Sequence, residues 1–494
     1  MYYILDGGTG TIARHLSRKH GITKDSCSAS ASGSRQTQLH GYASEMPDVG
    51  MPFSYNRNTM IDEFSRYVIG DEMPFMHGES KNFEYFTRVS LQPQFRAVPR
   101  NTLKRRTQVL YQGAKAQLIE MFRNLDNHVS LTTDTWNSCF SEPYMCVTAH
   151  WIDENWYVQK RIIAFEVMEE KHTGLNINNR MMAICKKYNL RDKVFSISVD
   201  NATANTKAIE YLMHESSFTK ILNGQFLHVR CSAHVLNLSV QEGVKKLSPL
   251  LDPIRTVIRW TRKEGKYKRK FKKMCVEAGL PKRKFSLDTA IRWNSTYKLL
   301  TQAIQYHEIL TYLYNNRIND PTTMITDAHW SLAILVHKIL AVYDRATKIF
   351  CYVYQPNVHL VILECIRIVH EITNNMNVDV LKDVLKDMME KWLSYFENIP
   401  YIYGVACIID PAVRVEGLRK LLKFYYVSLN RPTYDVDGYI ESCKRLLHDL
   451  YNYYASIYNS GTLSNNAPFQ GVQTYDPFIS NILNSQNRFA TSSS

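Results

Sequence analysis

The stretch from residue 128 to residue 247 places the tightest limit on what this chain can build. HVSLTTDTW (128–136) alternates in polarity and is rich in β-branched residues, and MCVTAHWID (145–153) and WYVQKRIIAFEV (156–167) follow it across short polar turns. Alternation of period two, broken by such turns, predicts three antiparallel strands. A helical segment, LNINNRMMAICKKY (175–188), comes next, then a fourth strand, VFSISVD (194–200), and a helix, ATANTKAIEYLMH (202–214). FLHVRC (226–231) predicts a fifth strand and SAHVLNLSVQEGVKKL (232–247) a further helix. The order is βββαβαβα. Strand–helix–strand crossovers are right-handed and join parallel strands, so strands 1, 4 and 5 are expected to run parallel.

The flanks are different. From Thr59 to about Asn124 the apolar residues Met60, Phe64, Val68 and Ile69, and then Leu103, Val109, Leu110, Leu118, Met121 and Phe122, fall at helical spacing. VPRNTLKRR (98–106) carries a helix start signal ahead of a basic helix. After Pro249 strands become rare, and helical periodicity recurs at 254–278, 296–316, 326–354, 358–374, 378–397 and 413–427. The expected divisions are 1–22, a short basic segment; 23–55, a Ser-rich linker around SCSASASGS; 56–125, a helical region; 126–247, the mixed α/β core; 248–458, a large all-α part; and 459–494, a polar tail expected to be disordered. A length of 494 residues agrees with about three domains.

Charge narrows the partner. Lys and Arg number 60 against 46 Asp and Glu, a formal net charge of +14, which points toward a polyanion and first of all toward nucleic acid. The densest run is RKEGKYKRKFKK (262–273), in which eight of twelve residues are basic, followed by PKRK (281–284). Lys266, Lys268, Arg269 and Lys270 lie at its centre. Such a run suits salt-dependent contact with DNA phosphates, and equally a solvated helix face or a nuclear localisation signal. The ten Cys form no CxxC pair, so neither a disulfide scaffold nor a Cys-based zinc ribbon is expected. No window approaches the apolar length of a membrane span, and the N-terminus lacks a signal peptide, so a soluble intracellular protein is expected.

Two residues carry the chemistry of the core. Asp134 is expected at the C-terminal end of the first strand and Asp200 at that of the fourth. On neighbouring parallel strands both carboxylates emerge at one sheet edge, where they can share divalent cations and leave coordination positions for phosphate and water. Asp is also a common residue in strand-end turns.

LTTDTWNS, VTAHWID, FSISVDNATANT, HVRCSAHVLNL and LDTAIRWNSTYKLL, in this order, resemble the hAT superfamily of DNA transposases, above all its plant domesticated branch of zinc finger BED domain-containing SLEEPER proteins. The resemblance implies an α/β + α fold: a ribonuclease H-like mixed sheet core interrupted by a large all-α insertion. By the same resemblance Asp134 and Asp200 match the first two members of the family's Asp-Asp-Glu triad for Mg²⁺ or Mn²⁺. Cys231 and His234 match its CxxH motif near the active site, where a local hydrogen-bond role is expected. Arg292 and Trp293 match its Arg-Trp motif, whose Trp stacks on a flipped base. GTGTIARHLSRKH resembles the second half of a BED-type finger, with His15 and His20 as half of a Zn²⁺ site. The family's paired Cys belong upstream of Met1, and Cys27 stands at the wrong spacing to replace them, so the finger is expected to stay incomplete.

The third carboxylate is also missing from the expected string. The family's Glu sits in a Ser-Glu-Arg…Phe-Ser segment that also serves dimerisation, whereas this sequence ends SQNRFATSSS. Glu364, Glu390, Asp410 and Glu416 match no catalytic position of the family. The resemblance therefore implies a nuclear protein that binds double-stranded DNA and lacks transposition activity. An active two-metal transposase, were the missing segment restored, and a fragment without a role of its own are the alternatives. A homodimer belongs to the full-length family, and no membrane partner is expected.

Overall fold

A computed structural model describes residues 54–458 and 477–484, apart from 264, 289–292, 319–322, 353–354 and 434. The chain divides into two compact units, one ending at Asn124 and one beginning at Leu125.

The described part of the first unit holds three α-helices, α1 (Arg57–Gly70), α2 (Lys81–Ser90) and α3 (Arg100–Arg123). Asn56 caps α1, its Oδ1 accepting from the N–H groups of Asn58 and Thr59 at 2.9 and 3.2 Å. Ser80 caps α2 through the N–H of Phe83 at 3.3 Å. Pro99 stands just ahead of α3, as the start signal requires. Phe64, Val68, Val98 and Leu103 form the core, and Gly78 lets two segments close over it, since a Cβ there would collide with Val98 and Leu103.

The second unit contains the sheet: β1 (Val129–Asn137), β2 (Pro143–Ile152), β3 (Val158–Val167), β4 (Val194–Val199) and β5 (His228–Arg230), in the spatial order β3-β2-β1-β4-β5. The pairs β1–β2 and β2–β3 are antiparallel, and β1–β4 and β4–β5 are parallel, as the βββαβαβ order requires. The crossover helices are α4 (Gly174–Lys187) and α5 (Thr203–His214), which pack on one another. The fifth strand is shorter than its apolar run suggests. Phe226 leaves the ladder to stack on Phe195, with ring centroids 5.5 Å apart, and only three residues pair with β4.

Eleven further helices are seen among the described residues: α6 (Ser232–Lys263), α7 (Gly265–Glu277), α8 (Trp293–Ala303), α9 (His307–Asn315), α10 (Asp327–Phe350), α11 (Leu360–Asn374), α12 (Asp379–Phe396), α13 (Tyr401–Ile409), α14 (Arg414–Ser428), α15 (Val436–Tyr458) and α16 (Pro477–Asn484). Two expectations need correction. The division at 247/248 falls inside α6, which runs through Pro249 and Pro253. Each proline removes one ladder hydrogen bond. The stripe Val240, Val244, Leu247, Leu251, Ile254 and Ile258 nevertheless keeps helical spacing and is buried throughout, so packing outweighs the break. The second correction is α16, which lies in the tail expected to be disordered. Pro477 suits its first turn, and Ile479 and Ile482 are buried against α14. Lys420 Nζ donates to Leu483 O at 2.7 Å. The segments 1–22 and 23–53 lie outside the described residues. No described helix is long and apolar enough to cross a membrane.

Candidate functional site

The two faces of the sheet follow from strand parity. Leu131 and Thr133 on β1, Val147 and Ala149 on β2, and Ile197 and Val199 on β4 share one face, and all six are buried. The opposite face carries Ser130, Thr132 and Asp134 on β1, Cys146, Thr148 and His150 on β2, and Ser196 and Ser198 on β4. Hydroxyls dominate this second face. Ser196 donates to Ser130 at 2.9 Å, and Thr132 Oγ1 lies 3.2 Å from His150 Nε2.

This parity brings the two candidate carboxylates together. The parallel ladder ends at Thr132↔Ser198, and two residues onward on each chain stand Asp134 and Asp200. They lie on the same face of adjacent strands, at the end of the ladder. Asp134 is exposed, and it is not at the end of its strand: β1 continues to Asn137 because its antiparallel pairing with β2, Asp134↔Cys146 included, outlasts the pairing with β4.

Asp200 sits between the end of β4 and the start of α5. Its Oδ1 accepts from the Ala202 N–H at 2.8 Å and from Asn205 Nδ2 at 2.6 Å. Its Oδ2 receives no hydrogen bond from a described residue. Cys231 follows β5 and donates its N–H to Val199 O at 2.8 Å, which places it beside Asp200 and at the start of α6. Burial raises the pKa of the Cys231 thiol; the N–H groups of His234 and Ala233 pull it down, and the charges of Asp134 and Asp200 push it further up. Cys231 therefore sits within electrostatic reach of both carboxylates. Between Cys231 and His234 the backbone closes a turn at the helix start, the His234 N–H donating to Cys231 O at 3.1 Å.

Three neighbours on this face were not singled out by sequence. Burial first, and then the Lys160 charge, lower the His150 pKa to about 4, so it is neutral at pH 7. Lys160 Cα-pairs with His150 across β2–β3 and forms no ion pair with a described residue. Trp136, two residues beyond Asp134, meets Tyr144 and Phe165 with centroids 5.7 and 5.6 Å away. The signal for all three was the period-two alternation itself.

The family implies Mg²⁺ or Mn²⁺ at the carboxylates. The donor set is compatible with either ion: two hard oxygen ligands on one face, one of them with an oxygen not engaged by protein, suit a hydrated divalent cation. Among the described residues no group of three or more His, Cys, Asp or Glu converges to hold a metal. The other acids considered have partners elsewhere. Glu364 is buried between Arg345 and Arg367, Asp410 faces His359 at 3.8 Å, Glu390 faces Lys386 at 3.9 Å, and Glu416 pairs with Arg419.

The basic run forms α7 and the segment after it. Phe271 and Cys275 point into the core, while Lys266, Lys268, Arg269, Lys270, Lys272 and Lys273 are exposed, as are Lys282, Arg283 and Lys284. Glu277, the one acid within 265–284, lies 3.8 Å from Lys273. Lys270 stands over the Tyr312 ring at 4.6 Å, and behind α7 Arg317 covers Trp260 and Tyr267 at 4.1 and 4.9 Å.

Trp293 is placed against expectation. It is 3% exposed, edge-on to Tyr343 at 6.2 Å, and cannot receive a base in this arrangement. The reason is helical register: Trp293, Thr296, Leu300 and Ala303 form the inward stripe of α8. Within the same string the structure gives Asp288 an anchoring role, its Oδ2 accepting from Arg255 Nε at 2.7 Å and Thr296 Oγ1 at 3.1 Å. Arg292, His15, His20 and Cys27 lie outside the described residues.

Residues 132–226 match the model of the ZBED1 RNase-like domain, and residues 229–339 match that of the ZBED1 RNase-like helical domain. A relative from Zea mays named "Putative AC transposase" is 28% identical over 459 residues, covering 91% of this chain and 55% of that protein. These likenesses support a hAT transposase-derived protein. Similarity extends to the zinc finger BED domain-containing proteins RICESLEEPER 3 of Oryza sativa subsp. japonica, 23% identical with 85% of this chain and 55% of that protein covered, and DAYSLEEPER of Arabidopsis thaliana, 21% identical with 86% and 61% covered. The chain spans about half the length of the curated relatives it matches. Its sheet is that of an RNase H-like core.

Proposed function

We propose that this hAT-derived chain is a nuclear protein that binds double-stranded DNA and does not by itself cleave it. The observation that carries this reading is the surface of α7 and residues 282–284, where nine exposed Lys and Arg side chains face a single acid. Phosphate contacts from such a surface release condensed counterions, so affinity falls steeply with salt and depends little on sequence. The names of the relatives, a transposase and zinc finger BED domain proteins, agree with a DNA partner.

Asp134 and Asp200 would hold Mg²⁺ or Mn²⁺, and the ion when bound would supply Lewis acidity toward a phosphodiester. The residues around them bind and orient: Asn205 and the Ala202 N–H fix one oxygen of Asp200, while His150, neutral at pH 7, adds no charge to the face. Asp134 and Asp200 each stand two residues past the last parallel pair, Thr132↔Ser198, which would set the ion at one edge of the sheet. The second reading, an active two-metal nuclease, draws on the same shared face of Asp134 and Asp200.

Affinity for a short duplex, followed by fluorescence anisotropy across a salt series, tests the proposal. Submicromolar binding at low salt that weakens linearly on logarithmic axes is expected. Lys268→Ala, Arg269→Ala and Lys270→Ala should each reduce the slope by about 1 where the side chain reaches a phosphate. A chain with no affinity at low salt would refute it.

A further inference from the structure

Asn205 is more than a residue of the first turn of α5. It is 2% exposed, and its Nδ2 makes the shorter of the two hydrogen bonds to Asp200, at 2.6 Å. The Ala202 N–H reaches the same carboxylate oxygen. Both donors therefore act on Oδ1, and Oδ2 accepts from no described residue. The helix itself has little use for this bond: α5 begins without a side-chain cap at Ala202, and the amide reaches back to Asp200 and not to the main chain at the cap.

The other end of the amide is the informative one. Asn205 Oδ1 is buried and accepts no hydrogen bond. Leaving a buried amide oxygen without a donor is costly, and a fold does not ordinarily retain such a group for packing alone. A Leu or Ala would fill the same place in a helix more favourably. Asn201, next to Asp200, likewise buries an amide with neither end hydrogen-bonded. Two amides with unmet hydrogen-bonding capacity thus flank Asp200, whose Oδ2 accepts from no described residue.

We infer that Asn205 is a positioning residue for a cation at Asp200: its Nδ2 holds the carboxylate for one-oxygen coordination, and its Oδ1 accepts a hydrogen bond from a water of the cation's hydration shell. Water on a divalent ion is a strong donor, and an acceptor in the surrounding shell orients it. This rests on the reading of Asp134 and Asp200 as the metal pair.

Mn²⁺ binding to the full chain, measured by calorimetry and by the electron paramagnetic resonance of free Mn²⁺, tests it without any catalytic readout. The wild type should bind, Asp200→Ala should not, and Asn205→Leu should bind roughly 10- to 100-fold more weakly while keeping the wild-type circular dichroism spectrum. Should the Leu variant fail to fold, Asn205→Ser, which is too short to reach Asp200, reads the same loss. Mn²⁺ affinity in a folded Asn205 variant equal to that of the wild type, with Asp200→Ala silent, would overturn the positioning role and leave the carboxylate pair standing. A wild-type chain that binds no Mn²⁺ would instead remove the pair itself.

Discussion

The same strands give the sheet two chemically unlike faces. One is a continuous apolar surface in which Leu131, Val147, Ala149, Ile197 and Val199 are 5% exposed or less. The other is lined by hydroxyls and carries Asp134, Cys146 and His150, with Asp200 just past the end of β4. Neither face can be edited without the other, because a shift of one residue in register exchanges them. Stability and chemistry are therefore stored on opposite sides of the same strands. The apolar face supplies burial, and the polar face carries hydroxyls that bond one another beside the two carboxylates.

Substitutions should separate the two faces. The largest effect is expected from Leu131→Ala, which empties a fully buried site and should lower unfolding free energy in urea by about 2–5 kcal/mol with no change in Mn²⁺ affinity. A smaller effect belongs to His150. Its folded pKa of about 4 lies below the unfolded value, so as pH falls the unfolded chain takes up the proton first. Stability from this group is therefore intact above pH ~6.5 and declines between ~6.5 and ~4, by about 2 kcal/mol once its partial exposure is allowed for. His150→Gln should flatten that part of the pH profile, and an unchanged profile would show that another group sets it. The smallest effect on stability is expected from Asp134→Asn: less than about 0.5 kcal/mol, as for an exposed site, together with complete loss of Mn²⁺ binding. If Asp134→Asn destabilised the chain as much as Leu131→Ala, the division between the faces would fail.

A comparable contrast holds in the helical part between Arg255 and the Lys side chains of α7. Arg255 is 5% exposed in its side chain and bound to Asp288. Asp288→Ala removes the closer of the two carboxylates beside the buried Arg255, Asp252 remaining at 3.2 Å, and a loss of about 1–3 kcal/mol is expected in the same urea assay. Single Lys→Ala changes on α7 should leave stability within about 0.5 kcal/mol while lowering DNA affinity.

How far these features could be read in the sequence depended on how local their causes are. Strand alternation is a property of neighbours, so the βββαβαβ order and the parallel β1, β4 and β5 were legible, and with them the shared edge of Asp134 and Asp200. Asp134 was legible as a face position but not as an interior strand residue, because the length of the β1–β2 pairing is set by the partner strand. The helical part was less legible wherever tertiary packing decided. The stripe from Val240 to Ile258 carries α6 across two prolines, and α14 recruits a tail segment through Ile479 and Ile482. Trp293 belongs to the same class: the Arg-Trp string marks the family, but the stripe it shares with Leu300 turns it inward. Asn205 carried a signal that went unused, a side chain five residues after Asp200 in the first turn of the following helix, within reach of the carboxylate.

Binding without cleavage is tested most sharply by incubating supercoiled plasmid with the purified full chain and Mn²⁺ and following nicking on agarose. The expected result is bound plasmid that remains supercoiled. Nicking by the wild type that disappears in both Asp134→Ala and Asp200→Ala would contradict it and establish the polar face as a working nuclease site.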